Sequence, residues 1–208
     1  MPSKLILRDL KENSYYHVFN SATSNKDLFR EDSDYETFLY YLYLYTADPS
    51  KVLNKYPKLP KRLISSNLFG QIYIVSYVLL PSRFHIVLKQ RQSDAISKFM
   101  KQLVNAYSTY YNKKYKQKGS IFNGRYKSIR LESEYLVAQI SRFVHLKPSI
   151  SGKVKDPKDY KWSSLTDTSI TTSTRARFDS ESEYFSFNID KKSYDENFSK
   201  IEKLIIDK

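Results

Sequence analysis

The chain contains no cysteine, only four glycines and a single tryptophan among its 208 residues. The lack of cysteine excludes disulfide bonds, thiolate zinc sites and a cysteine nucleophile. No apolar run reaches the roughly 18 residues that a membrane span requires, because Gln71 and Ser76 interrupt the longest candidate. The first residues also lack the pattern of a secretory signal. We therefore expect a cytoplasmic protein without a membrane partner, associated with the nucleoid if it is bacterial.

Acidic residues are scarce relative to basic ones. Lys and Arg together number 35 against 22 for Asp and Glu, which gives a formal net charge of +13. Such an excess favours a polyanionic partner such as DNA, RNA or an acidic membrane surface. The 19 tyrosines and 12 phenylalanines can fill a core, and aromatic rings can also stack on bases.

One stretch in the middle of the chain organises the rest. Residues 72–79 are apolar and rich in β-branched and aromatic side chains, and residues 84–88 resume the pattern after a Pro-Ser break, which predicts two strands. Residues two apart share a face of a strand. Arg83 and His85 should therefore project together, with Phe84 pointing into the core. This pair is either a phosphate-binding element or, as is more common for one histidine in an apolar strand, structural.

The first part of the chain predicts a strand, a helix and a loop. Residues 14–20 contain strong strand formers. A capping box of Ser33 and Glu36 predicts a helix over residues 34–46 that is apolar almost all round. Residues 49–66 are basic and punctuated by proline, which predicts a long loop.

Two later helices have clearer signals. An amphipathic helix is predicted from a cap at residues 93–94 to about residue 118. Ser133 is the expected cap of another helix, which Pro148 should end after about residue 146. Trp162 is expected to cover the core.

The remaining segments are a glycine-containing turn and a polar tail. Residues 119–127 include two of the four glycines, and basic residues follow closely, so this turn is either a solvated loop or a DNA contact. We divide the chain into a main domain over residues 1–168 and a C-terminal extension over residues 169–208. A short helix at the end of this extension is compatible with its sequence.

Five motifs, in this order along the chain, resemble the single-tyrosine HUH transposases, and among them the REP-associated tyrosine transposase branch. The motifs are YHVFN at 16–20, LPSRFH at 80–85, GSIFNGRYK at 119–127, SRFVHLKP at 141–148 and DYKWSS at 159–164. The resemblance implies an α+β, ferredoxin-like fold, an antiparallel sheet with helices packed on one face. It also implies binding of DNA hairpins and strand cleavage by a tyrosine that forms a phosphotyrosine link. A divalent metal, Mg²⁺ or Mn²⁺, held by two histidines that flank an apolar residue, would polarise the phosphate.

The sequence departs from that family at the positions that perform the chemistry. The His-apolar-His pair is replaced by Arg83, Phe84 and His85, so that only His85 remains as a metal-ligand position. Phe143 occupies the nucleophile position, and Lys147 lies one helical turn after it. His145 is rotated by about 200° on the helix and cannot replace the lost groups. Because cations repel Mg²⁺ and Mn²⁺, no cofactor is expected unless the protein is active.

These observations favour a transposase-like protein that binds hairpin or single-stranded DNA and is defective in tyrosine-mediated cleavage. The residues expected to contact DNA are Arg83, His85 and Lys147 in the former active-site pocket, Arg125, Lys127 and Arg130 on the hairpin stem, and Lys98 and Lys101 on a phosphate-facing edge.

Other hypotheses remain open at the level of sequence. One is an active enzyme with a relocated nucleophile, for which the candidates are Tyr135, Tyr126 and Tyr107, and with metal held by His85, Gln139 or His17. Others are a non-enzymatic RNA-binding module and a gene product without a selected role. The pattern does not distinguish a homodimer from a monomer.

Overall fold

Alternating apolar residues build four strands that pair in one antiparallel sheet in a computed structural model, which describes residues 10–23, 26–167 and 169–170. In chain order the elements are β1 (Ser14–Ser21), α1 (Asp32–Thr46), α2 (Pro49–Lys55), α3 (Lys61–Ser65), β2 (Ile72–Leu80), β3 (Arg83–Gln90), α4 (Ala95–Lys114), β4 (Lys127–Leu131) and α5 (Glu134–Ile150), followed by a 3₁₀ turn at Pro157–Asp159. The strand order in the sheet is β2-β3-β1-β4.

The strand register separates the sheet into two faces. In β3, Phe84 lies opposite Asn20 of β1, whereas His85 lies opposite Phe19. Opposed residues share a face and neighbours along a strand alternate. Phe84 packs against Phe38 of α1, with ring centroids 5.2 Å apart, while His85 contacts Phe143 of α5. The predicted α+β fold is confirmed, with α1 and α4 together on one face, and the structure adds that α5 covers part of the other.

The main core lies between the sheet and the α1–α4 layer. It is built largely of aromatic rings, and Tyr107 of α4 sits at its centre against Phe38 and Phe122. The stripe that predicted an amphipathic α4 is buried as expected, although α4 ends at Lys114 rather than near residue 118. Trp162 covers the edge of this core, stacked on Tyr35 with centroids 4.6 Å apart.

The predicted start of α1 is wrong by two residues. Glu31, not Ser33, is the N-cap, and the carboxylate of Asp34 accepts hydrogen bonds from the backbone N–H groups of Arg30 and Glu31. The side chain of Asp34 is fully buried. Its position three residues after Glu31 therefore determines where the helix begins.

The predicted loop over residues 49–66 is also wrong, because the structure has α2 and α3 there. Asp48 caps α2 by accepting from the backbone N–H of Ser50 at 2.8 Å. Pro49 occupies the first helical position, where a missing N–H costs nothing. Two of the three prolines that predicted a loop, Pro49 and Pro60, thus mark helix starts.

The helix predicted to follow Ser133 is confirmed at its beginning, where the Ser133 hydroxyl accepts from the N–H of Leu136. Its predicted end is wrong, since Pro148 lies inside the last turn and α5 continues to Ile150. Proline lacks the backbone N–H of one intrahelical hydrogen bond, and α5 ends two residues after Pro148. Nearly all of the predicted C-terminal extension, with its terminal helix, lies outside the described residues. No helix within the described ranges combines the length and apolar character needed to cross a membrane.

Candidate functional site

Two strands and α5 bring two histidines and a phenylalanine together. His17 of β1 and His85 of β3 are 68 positions apart in sequence, yet His17 Nε2 lies 3.1 Å from His85 Nδ1. The Phe143 ring stands edge-on to both imidazoles, with centroids 6.1 Å from His17 and 5.8 Å from His85. Phe19 stacks on the His17 ring from the same strand. The predicted nucleophile position therefore faces the two imidazoles, and it carries a phenyl ring.

Burial and nearby cations keep both imidazoles neutral. Burial, followed by the charge of Lys147, lowers the pKa of His17 to about 3. Burial also lowers the pKa of His85 well below its ordinary value, with further contributions from His17, Lys147 and Arg83. A hydrogen bond between two neutral imidazoles requires that one of the facing nitrogens carries the hydrogen and the other accepts it. At neutral pH the histidine pair thus adds no positive charge of its own.

Three cationic side chains lie on the same side of the sheet as this neutral centre. Lys147 lies one turn after Phe143 on α5, with its Nζ 4.7 Å from the centre of the Phe143 ring. Arg83 is exposed at the start of β3, on the same face as His85. Lys127 is exposed at the start of β4, opposite Phe19 and therefore on that face too. We call Arg83, Lys127 and Lys147 the basic rim.

The glycine-containing turn is fixed beside the basic rim. The N–H of Asn123 donates to the Ser21 carbonyl at 2.9 Å, and the Asn20 side chain donates to the Gly124 carbonyl at 3.3 Å. Gly124 has a φ of +66°, a conformation that favours glycine. Ser21 pairs with Arg83 in the sheet. Arg125, which follows Gly124 and is exposed, therefore lies at the same end of the sheet as Arg83.

Other predicted DNA contacts lie elsewhere. Arg130 is opposite Tyr16 in the sheet, so it belongs to the α1–α4 face, and it pairs with Glu132. Lys98 and Lys101 are exposed on α4, which packs on that same face, and Lys98 pairs with Asp94 at 2.6 Å. The structure therefore places Arg83, His85, Lys127 and Lys147 on one side of the sheet. Arg130, Lys98 and Lys101 lie on the other side.

Two of the three alternative nucleophiles, Tyr107 and Tyr135, are not placed against the histidine pair in the way that Phe143 is. Tyr107 is fully buried on the other face of the sheet, where its hydroxyl donates to the Leu28 carbonyl at 2.5 Å. Tyr135 is 68% exposed at the start of α5, roughly 12 Å along the helix from Phe143 at about 1.5 Å per residue. His145 faces away from the pair and hydrogen-bonds to Ser164.

The residues at this centre are a poor match for Mg²⁺ or Mn²⁺. Arg83 occupies one of the two histidine positions that the resemblance implies as metal ligands, and the two imidazoles present, His17 and His85, hydrogen-bond to each other. The described part of the chain contains no cluster of three or more histidine and carboxylate side chains suited to a metal ion. Arg83 and Lys147 act electrostatically on His85 and would oppose a cation beside it.

Sequence reasoning named His17 as an alternative metal ligand but did not predict its direct contact with His85. Its strand was predicted, and its alternation in YHVFN places it on one face with Phe19. Only the pairing of β1 with β3 brings it beside His85.

No protein-family model and no curated protein matches the chain. A solved structure of a REP-associated tyrosine transposase bound to a REP hairpin is similar in fold. The TM-score is 0.51 at 14% sequence identity, over 76% of this chain and 81% of that chain. The comparison establishes a distant structural relationship, and the similarity is one of fold.

The buried histidine pair predicts a pH dependence of stability. The folded-state pKa of His17, about 3, lies below its ordinary value near 6.5, so the unfolded state binds the extra proton. His17 should therefore cost the protein about 2 kcal/mol of unfolding free energy as the pH falls from 8 to 5. Urea denaturation at several pH values measures this loss.

The comparison for that measurement is a His17→Leu variant, which lacks the titrating group. Its stability should fall by about 2 kcal/mol less than that of the wild type over the same pH interval. Parallel curves for the two proteins would contradict the assignment of a neutral, buried His17.

Proposed function

We propose that the protein is a transposase-like DNA-binding protein that recognises hairpin or single-stranded DNA and does not cleave it through a tyrosine. In this proposal the chain descends from a single-tyrosine HUH transposase whose catalytic motifs have degenerated. The fold shared with a transposase solved in complex with a REP hairpin supports the class of protein. The residues of the site support the loss of chemistry.

The observation that carries the proposal is the position of Phe143. It is the α5 side chain that stands against the two imidazoles, and a phenyl ring has no hydroxyl to attack a phosphate. The donor set beside it does not suit a divalent metal, for the reasons given above. Strand transfer at this centre thus lacks both the nucleophile and the electrophilic assistance that the resemblance implies.

The same centre is suited to holding a phosphate without reacting with it. Arg83 can form two parallel hydrogen bonds to a phosphate, and Lys147 and Lys127 add compact positive charges on the same face. The neutral histidine pair and the Phe143 ring pack together on that side of the sheet. Arg125, in the neighbouring turn, extends the positive surface toward the backbone of a hairpin stem.

The proposal is tested by direct binding of structured DNA. Labelled single-stranded hairpins from the DNA that flanks the protein's own gene are mixed with wild-type protein at moderate salt, and unlabelled DNA and RNA hairpins of matched sequence compete. We expect a shifted complex that the DNA hairpin displaces more effectively than the RNA hairpin. No binding would contradict the proposal, and better competition by RNA would favour an RNA-binding module instead.

A further inference from the structure

A second cationic surface lies on α2 and α3, far from the basic rim. Between Asp48 and Asp94 the sequence contains no acidic residue. The first part of this interval carries exposed basic side chains that no carboxylate within the interval can neutralise. They are Lys51, Lys55, Lys58, Lys61 and Arg62. We call these five residues the α2–α3 surface.

Aromatic rings accompany the charges. Lys55 Nζ lies 5.1 Å from the centre of the Tyr43 ring and 5.6 Å from that of Tyr56, and both rings are partly exposed. Phe69, which follows α3, is 52% exposed, although a phenylalanine side chain is ordinarily buried. Cations combined with accessible rings are the composition that binds single strands, since phosphates meet the charges and unpaired bases stack on the rings.

This surface lies at the C-terminal end of α1, whereas the basic rim lies beyond the N-terminal end of α1 and on the other face of the sheet. The Leu68 N–H donates to the Tyr45 carbonyl, which places the residues after α3 at the C-terminal end of α1. At the other end, the backbone N–H groups of Leu28 and Phe29 donate to the Pro81 carbonyl, two residues before Arg83. The 15 residues of α1 give a separation of at least roughly 22 Å at about 1.5 Å per residue. A strand of about 12 nucleotides, at the roughly 3.4 Å per nucleotide of a stacked strand, spans about 40 Å, which exceeds that minimum.

We propose that the α2–α3 surface binds single-stranded DNA that continues from the hairpin held at the basic rim. This inference rests on the proposed function and assigns the flank, rather than the stem, to α2 and α3. A single strand is the occupant because duplex bases are already stacked and cannot meet Tyr43, Tyr56 or Phe69. The absence of acidic residues over the whole interval provides the charge complementarity.

The test compares a blunt hairpin with the same hairpin carrying a single-stranded flank of about 12 nucleotides, a length within the range bound by single-strand modules. Each is titrated against wild-type protein, with the flank placed on the 5′ or the 3′ side. We expect the flank to tighten binding by about tenfold on one side. A flank that adds nothing on either side would overturn the inference.

The variant for this test replaces Lys55, Lys58 and Lys61 with alanine. It should lose the gain from the flank and keep its affinity for the blunt hairpin within about twofold. Phe69→Ala should reduce the gain by at least about fivefold if a base stacks there. The matched control, in which alanine replaces Lys153, Lys155 and Lys158, removes the same charge from another exposed segment. It should keep the full gain, and an equal gain in the Lys55 variant would overturn the inference.

The isolated flank separates this inference from the proposed function. Suppose that wild-type protein binds the single strand alone and that the three lysine substitutions abolish that binding. This result would support single-strand binding by the α2–α3 surface even if the blunt hairpin were not bound. Binding of the hairpin without any contribution from these lysines would leave the proposed function intact and remove the inference. Tighter binding of a single-stranded RNA of the same sequence would overturn the assignment to DNA.

Discussion

Replacing Asp34 with alanine is expected to lower the free energy of unfolding by about 3–5 kcal/mol, the range found when one partner of a buried ion pair is removed. The Asp34 side chain is fully buried, and its carboxylate joins the start of α1 to the end of α4. It accepts from Lys114 Nζ at 2.6 Å and from four other donors. These are the backbone N–H groups of Arg30 and Glu31 and the hydroxyls of Tyr110 and Tyr115.

The balance of forces on Asp34 explains why the loss should be large. Burial alone raises the pKa of this carboxyl, but hydrogen bonds from Lys114, Tyr115 and the Arg30 backbone outweigh it, and the pKa is lowered overall. The carboxylate is therefore charged at neutral pH. Its removal would take the shared acceptor from Lys114 and from the hydroxyls of Tyr110 and Tyr115. Lys114 would keep Glu31 and Ser33, and Tyr110 would keep the Ser33 carbonyl, but each donor left unpaired would cost about 1–3 kcal/mol.

Urea denaturation of the variant measures this effect, and Asp94→Ala is the matched control. Asp94 also pairs with a lysine at 2.6 Å, but both side chains are more than half exposed, so its removal should change stability by less than about 1 kcal/mol. Similar losses for the two variants would show that the Asp34 cluster does not hold α1 against α4.

Replacing the whole basic rim with alanine is the second change with a large expected effect. Each lost charge-assisted contact to a phosphate is worth about 1.5–3 kcal/mol, so the Arg83, Lys127 and Lys147 triple variant should bind a blunt DNA hairpin at least a hundredfold more weakly. The logarithmic dependence of affinity on salt should become shallower by about two to three, because three fewer counterions are released.

Lys98 and Lys101 provide the control for the rim variant. Both are exposed on α4 on the other face of the sheet, and their replacement with alanine should leave affinity for the blunt hairpin within about twofold. Fluorescence anisotropy over a range of salt concentrations measures both quantities. A normal affinity and salt slope in the rim variant would remove this face from the interface.

The parts of the fold that sequence reasoning predicted are those set by local pattern. The hairpin of β2 and β3, with Phe84 in the core and His85 on the other face, follows from alternation and a Pro-Ser break. The α4 stripe follows from helical periodicity. In both cases, the pattern of residues that are neighbours in sequence is sufficient to predict the element and its buried face.

The parts that were wrong or missing depend on distant partners. Asp34 determines the start of α1 because Lys114 and Tyr115, about 80 positions away, complete its shell. The contact between His17 and His85 requires the pairing of β1 with β3, and a strand pattern gives the face of a residue but not its partner strand. The short helices α2 and α3 were missed because proline and lysine are common in loops as well as at helix starts.

The most direct test of the central claim is a search for a covalent protein–DNA adduct. Wild-type protein is incubated with the labelled hairpin that it binds, in Mn²⁺ or in EDTA, and the products are separated on denaturing gels and examined by mass spectrometry. We predict bound, uncleaved DNA in both conditions, because Phe143 offers no nucleophile to the phosphate. Metal-dependent cleavage with a tyrosine-linked adduct would contradict this account, and the modified tyrosine would identify the true catalytic position.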